Sequence, residues 1–149
     1  MAERKKLPAL RRLAEVQRAQ RAGAEAALSE ARRAEERSRA EEEAARRGTE
    51  SARGDWLRFV GEPGFSPEYA RALGGEVLKR EATEADCTAE TRRAAAAAGE
   101  RDTEWRLRSA QLKGSERSLR RLVRKDARDR EERRLAAAAD LVTFRWSRP

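Results

Sequence analysis

Proline placement constrains this chain more than any other feature. The four prolines stand at positions 8, 63, 67 and 149, so the spans between Pro8 and Val60 and between Glu68 and Arg148 contain none. A proline inside a helix removes a backbone donor and costs about 3 kcal/mol. The two proline-free spans are built of Ala, Arg, Glu and Leu, which are strong helix formers. The pattern predicts helices over about 8–60 and 67–143, with a bend at 61–66. Pro8 suits a first helical turn, where the missing N–H has no intrahelical partner anyway. Ser66-Pro67-Glu68 supplies an N-cap, a proline at the first helical position and an early carboxylate for the second helix. So short a bend forces the helices antiparallel. The expected fold is all-α, an antiparallel coiled-coil hairpin forming one elongated unit.

Composition agrees with that reading. The chain is 42% charged and 5% aromatic, too poor in large apolar side chains for a compact core, and this argues against a globular enzyme. Disordered segments are rich in Pro, Ser and Gln, whereas this chain is rich in residues that hold helices. Its net charge of +8 is the balance of 35 basic and 27 acidic residues, so the excess rides on a dense mixture of both signs. There is no histidine, and Cys87 is the single cysteine, which leaves no internal disulfide, no common zinc arrangement and no His-dependent catalytic set. No cofactor is expected. No stretch approaches the roughly 20 apolar residues of a membrane span, and "MAERKKLPALRRL" lacks the apolar run of a secretory signal, so a cytoplasmic location is expected.

A stripe at alternating spacings of three and four runs along each span. In the first it passes through Leu13, Val16, Gln20, Ala24, Ala27, Ala31, Ala34, Ser38, Glu41, Ala45, Gly48, Ala52, Trp56 and Phe59. In the second it passes through Leu73, Val77, Arg80, Glu84, Cys87, Thr91, Ala94, Ala98, Arg101, Trp105, Arg108, Leu112, Ser115, Leu119 and Leu122. Small seam residues let helices approach closely but bury little area, so a modestly stable rod that frays is expected. If the reversal centres on Pro63 and Gly64, residue n faces approximately residue 127 minus n, given the shared rise of about 1.5 Å per residue. Leu7 and Leu10 then face Leu119 and Leu122, and Trp105 faces Ala22 to Ala26. Beyond residue 123 the second helix has no partner, yet "RLAAAADLVTFRW" regains an apolar stripe.

Each candidate site has a bland alternative. The run Arg117, Arg120, Arg121, Arg124, Lys125, Arg128, Arg130, Arg133 and Arg134 has the charge to meet nucleic acid. Its interleaved Glu116, Asp126, Asp129, Glu131 and Glu132 argue instead for a solvated or protein-binding helix. Gly74-Gly75 stands alone and does not make a phosphate loop. Cys87 reads as a small packing residue. Trp56, Phe59, Phe65 and Tyr69 gather four of the seven aromatics around the bend, as a closing plug or, at an exposed tip, as a hold for a partner.

A basic N-terminus, the small-residue seam of "VQRAQRAGAEAAL", an aromatic bend and "LRRLVRKDARDREER" together resemble the YscO/FliJ family of type III secretion stalk proteins. "LVRKDARDREE" is similar to the late second helix of the YscO branch more than of the FliJ branch. The resemblance implies an antiparallel helical hairpin that is not an enzyme. It also implies three partners: a hexameric export ATPase, the cytoplasmic domain of an export-gate protein, and secretion chaperones. Its termini would meet the ATPase, which by position falls on Arg4, Lys5, Lys6, Arg11, Arg12, Arg121, Arg124, Lys125 and Arg128. The start of the second helix would meet the gate, through Phe65, Tyr69, Leu73, Val77 and Arg80. Leu135, Val142, Phe144 and Trp146 form a further docking stripe. The Gly74-Gly75 pair and the proline-rich bend depart from the flagellar pattern. The expected protein is a monomeric stalk; the alternatives are a self-associating scaffold and, third, a nucleic-acid-binding helical protein.

Overall fold

The computed structural model describes residues 2–64 and 66–146, with side chains from residue 6 onward. Two helices, α1 (Ala2–Val60) and α2 (Pro67–Trp146), pair as an antiparallel hairpin, and no strand occurs among the described residues. α1 begins six residues before Pro8, which therefore lies inside the helix instead of in its first turn. The missing Pro8 N–H leaves the carbonyl four residues back without its usual bond. The Ala, Glu, Arg and Lys around it are good enough helix formers to carry the helix through. α2 ends at Trp146, three residues beyond the expected 143.

The reversal is built as its residues dictate. Gly61 N–H donates to the Leu57 carbonyl at 3.3 Å and Glu62 N–H to that of Phe59 at 3.2 Å, which closes α1. Gly64 then takes φ of 101°, a conformation that side-chain-bearing residues adopt at a cost. Ser66 caps α2: its hydroxyl accepts the Tyr69 N–H at 3.4 Å and donates to Glu68 at 3.1 Å. The bend expected at 61–66 thus has a hydrogen-bond basis on both sides of Gly64.

The chain divides into two compact units. One, Ala24–Glu104, holds the bend. Its buried residues are Ala24, Leu28, Thr49 and Ala98. Thr49 is fully enclosed and donates its hydroxyl to the Ala45 carbonyl at 3.2 Å, so burial leaves that hydroxyl satisfied. Cross-helix polar contacts flank this thin seam: Arg53 with Glu81, Arg46 with Glu84, Arg32 with Asp102, and Thr88 donating to Glu42 at 3.0 Å. The stripe holds here with local shifts. Glu42, not Glu41, turns inward, and Arg80 and Arg101 stay exposed beside half-buried Glu81 and Asp102. Long charged side chains reach solvent from seam-edge positions at little cost, which is why spacing alone mis-sorts them. Gly74 and Gly75 lie inside α2, not in a loop.

The other unit comprises Met1–Gly23 and Trp105–Pro149. Ala14 and Leu112 are its buried apolar residues. The expected stripe through Leu13, Val16 and Gln20 is displaced: Leu13 and Val16 are 44% and 54% exposed, and Leu10, Ala14, Gln17 and Arg21 face inward instead. Leu13 and Val16 are apolar and Gln17 and Arg21 are not, so hydrophobic spacing points to the pair that stays outside this seam. Trp105 meets Arg21, whose guanidinium carbon lies 6.0 Å from the ring centroid. Leu7, Leu10, Leu119 and Leu122 are all half-buried. From residue 130 to residue 146 every α2 residue is exposed. The exposed C-terminal stretch of α2 is therefore as expected.

Candidate functional site

Two surfaces carry the residues that the sequence singles out, one in each unit. At the bend, Phe59 and Tyr69 make an edge-to-face contact, with ring centroids 4.6 Å apart and planes at 75°. That contact anchors one side of Tyr69 while leaving the residue 54% exposed. Leu73 and Val77 are half-buried on the seam side of α2, and Arg80 is exposed, its Nε donating to Glu76 at 2.7 Å. Leu73 and Arg80 line one open groove with Gly48, Ser51, Ala52, Asp55 and Glu76. The bend also presents Leu57, Val60 and Leu78, each more than 40% exposed. Phe65 lies outside the described residues. This surface offers an aromatic edge, a few aliphatic side chains and a guanidinium beside carboxylates.

The second surface is on Met1–Gly23 and Trp105–Pro149. Lys6, Arg11, Arg12, Arg121, Arg124, Lys125 and Arg128 are all exposed, whereas the side chains of Arg4 and Lys5 lie outside the described set. Carboxylates of the same segment are taken up elsewhere: Glu116 by Arg18 at 3.1 Å and by Arg120, and Asp126 by Arg130 at 3.1 Å. Further along, Leu135, Val142, Phe144 and Trp146 are 65%, 57%, 58% and 87% exposed. They do not form a single stripe. At about 100° per residue, Leu135, Val142 and Trp146 share one face, and Phe144 projects from nearly the opposite side with Leu141. Leu141, 66% exposed, escapes the spacing because it belongs to that second face.

A polar layer in the seam of this same unit was missed altogether. Gln17 Oε1, Arg21 Nε, Trp105 Nε1 and Ser109 Oγ are buried atoms without a hydrogen-bond partner. Gln17 and Arg21 stand one turn apart on α1, as Trp105 and Ser109 do on α2. The facing rule pairs those two turns, so the signal was present in the sequence. A seam layer of this kind lowers stability, because each buried polar atom left unpaired forfeits its hydration.

Hydrogen bonds from the hydroxyls of Thr91 and then Thr88 hold the Glu42 carboxyl below its ordinary value of 4.5. Hydrogen bonding and then charge attraction from Glu81 push the Arg53 guanidinium further up. Cys87 is half-buried as a free thiol. Among the described residues no cluster of three or more His, Cys, Asp or Glu side chains could hold a metal ion, and no helix is long and apolar enough to cross a membrane. No family model, no curated protein and no solved structure matches the chain.

Proposed function

We propose that this chain is a non-enzymatic stalk component of a bacterial type III secretion export apparatus, acting in the cytoplasm and coupling a hexameric export ATPase to an export gate. The observation that carries the reading is the hairpin itself, paired antiparallel and continued by an exposed stretch of α2. That is the fold which the resemblance to the YscO/FliJ family leads one to expect. On this reading Tyr69, Leu73, Val77 and Arg80, with Phe65, meet the gate. The basic residues of the other unit, Lys6, Arg11, Arg12, Arg121, Arg124, Lys125 and Arg128 together with Arg4 and Lys5, meet the ATPase. Secretion chaperones are further partners, and the protein works as a monomer. The export ATPase and the gate domain provide the test. Tyr69→Ala/Leu73→Ala should leave helicity intact and weaken gate binding, and Arg121→Glu/Arg124→Glu/Arg128→Glu should reduce stimulation of the ATPase. Unchanged gate affinity and unchanged ATPase rate together would remove the assignment.

One observation favours a second reading, a scaffold that self-associates. The exposed Leu135, Leu141, Val142, Phe144 and Trp146 could pair between copies. Sedimentation separates the two: a monomer supports the stalk, and a dimer abolished by deleting residues 140–149 supports the scaffold.

A further inference from the structure

The cationic and apolar parts of the exposed end of α2 lie on one face. Arg117, Arg121, Arg124 and Arg128 recur at spacings of four, three and four, which holds them within about 60° of one another around the helix. Leu135, Ala139, Val142 and Trp146 repeat the same spacings 18 residues later, five whole turns on, and so fall in the same window. All eight residues are exposed. Leu112 and Leu119, which turn inward, lie on the opposite side of the helix, so the pairing with α1 leaves this face uncovered. Glu116 and Asp126 project from the seam side, where arginines hold them. Within residues 117–128 the outward face therefore carries one sign of charge, which the linear alternation of acids and bases conceals. Between its two halves Glu131 and Glu132 stand at the two edges of the window, each about 20° outside it, and Asp129 lies further round.

We infer that this face of α2 is a docking surface for an anionic lipid bilayer, Arg117, Arg121, Arg124 and Arg128 meeting headgroups while Leu135, Val142 and Trp146 enter the acyl boundary. Two properties of the face select the occupant, the charge of its arginines and the apolar row that continues them. A row of like charges with no acceptors interspersed asks only for a surface of opposite sign. The adjoining apolar row ends in tryptophan, a side chain that settles at the boundary between headgroup and hydrocarbon. Nucleic acid would satisfy the arginines but offers nothing to the leucine, valine and tryptophan. The apolar stretch from 135 to 146 is about 18 Å long, short of the roughly 30 Å hydrocarbon layer, so the helix lies on the bilayer and does not cross it. The inference does not rest on the stalk reading. An ATPase and a lipid surface would compete for the same arginines.

The test uses the full chain carrying Trp56→Phe and Trp105→Phe, so that Trp146 is the only fluorophore of its kind, with phosphatidylcholine vesicles made with and without phosphatidylglycerol. Cosedimentation and a blue shift of Trp146 emission are expected with the anionic vesicles alone. Neutralising all four arginines to Gln should lower partitioning by on the order of several hundredfold, at about fivefold for each cation. Reversal of the off-face Arg33 and Arg92 should change it little. Leu135→Asp/Val142→Asp should abolish the blue shift of Trp146, and circular dichroism should show the helices intact in every variant. No binding to anionic vesicles, binding indifferent to the four arginines, or emission unshifted in the bound state would each overturn the inference. So would tighter binding to duplex nucleic acid than to anionic vesicles, with the apolar variant binding the duplex equally well.

Discussion

The two units use the same few residue types and satisfy them differently. In Ala24–Glu104 the polar groups near the seam find one another: Thr88 bonds Glu42, Thr49 bonds the Ala45 carbonyl, and Arg46 meets Glu84. In Met1–Gly23 with Trp105–Pro149, Gln17, Arg21, Trp105 and Ser109 each bring a buried polar atom that nothing satisfies. The difference lies in what faces what. A threonine opposite a carboxylate closes a bond at hairpin spacing, whereas an indole opposite a guanidinium sets two donors against each other and leaves only the ring face to attract the charge. A seam of small residues has little apolar area to spare, so polar satisfaction separates a tight stretch from a loose one.

The comparison breaks most visibly at its two leucines. Leu28 and Leu112 are 5% and 7% exposed and are the one buried large side chain in each unit among the described residues. Leu28→Ala and Leu112→Ala should each cost about 2–4 kcal/mol in urea unfolding monitored by circular dichroism. Hydrogen exchange should then show protection falling mainly in the unit that carries the change. Uniform loss along both helices would mean that the units do not melt separately. A smaller effect tests the polar layer. Gln17→Leu/Ser109→Ala removes two unsatisfied groups and should raise stability by about 1 kcal/mol, while Thr88→Val, which removes a satisfied one, should lower it. Equal signs would erase the contrast between the units. The smallest effect is in pH. The folded Glu42 carboxyl titrates below 4.5, so its contribution is fully present above that value and is lost as pH falls through the lower, folded value. Glu42→Gln should flatten the acid limb of a stability-against-pH curve and leave neutral pH behaviour nearly unchanged; an unaltered acid limb would show that the Thr91 and Thr88 bonds do not favour the charged form.

Much of this fold was legible because proline and the Ser66 cap act locally. The bend and both helices follow from a few residues whose backbone rules hold without tertiary help. Most of the α2 seam was legible too, since Leu73, Val77, Leu112, Leu119 and Leu122 fix the period from both ends. The α1 seam was harder. Between Val16 and Trp56 Leu28 is the lone large apolar side chain, and a stripe of alanines tolerates a slip of one position without any change in hydrophobicity. Thr49 and Leu28 were missed for that reason, each standing one residue from a small residue assigned to the stripe. The candidate surfaces were legible in residue type but not in arrangement. Which arginines stand together depends on where the seam lies, and linear spacing does not place it.

The order in which such a hairpin closes is written into its numbering. Outward from Gly64, the cross-helix bonds span 28 residues for Arg53 with Glu81, 46 for Thr88 with Glu42, 70 for Arg32 with Asp102 and 98 for Arg18 with Glu116. Closing the widest of these loops in an open chain would cost more chain entropy than closing the narrowest. Once its inner neighbours have formed, however, each step immobilises only a short additional length of chain. Pairing therefore advances as a zipper with one starting point. A change at Gly64 should slow the first step and thereby delay every later one, while a change near Arg18 should alter only the last teeth to close and the first to open.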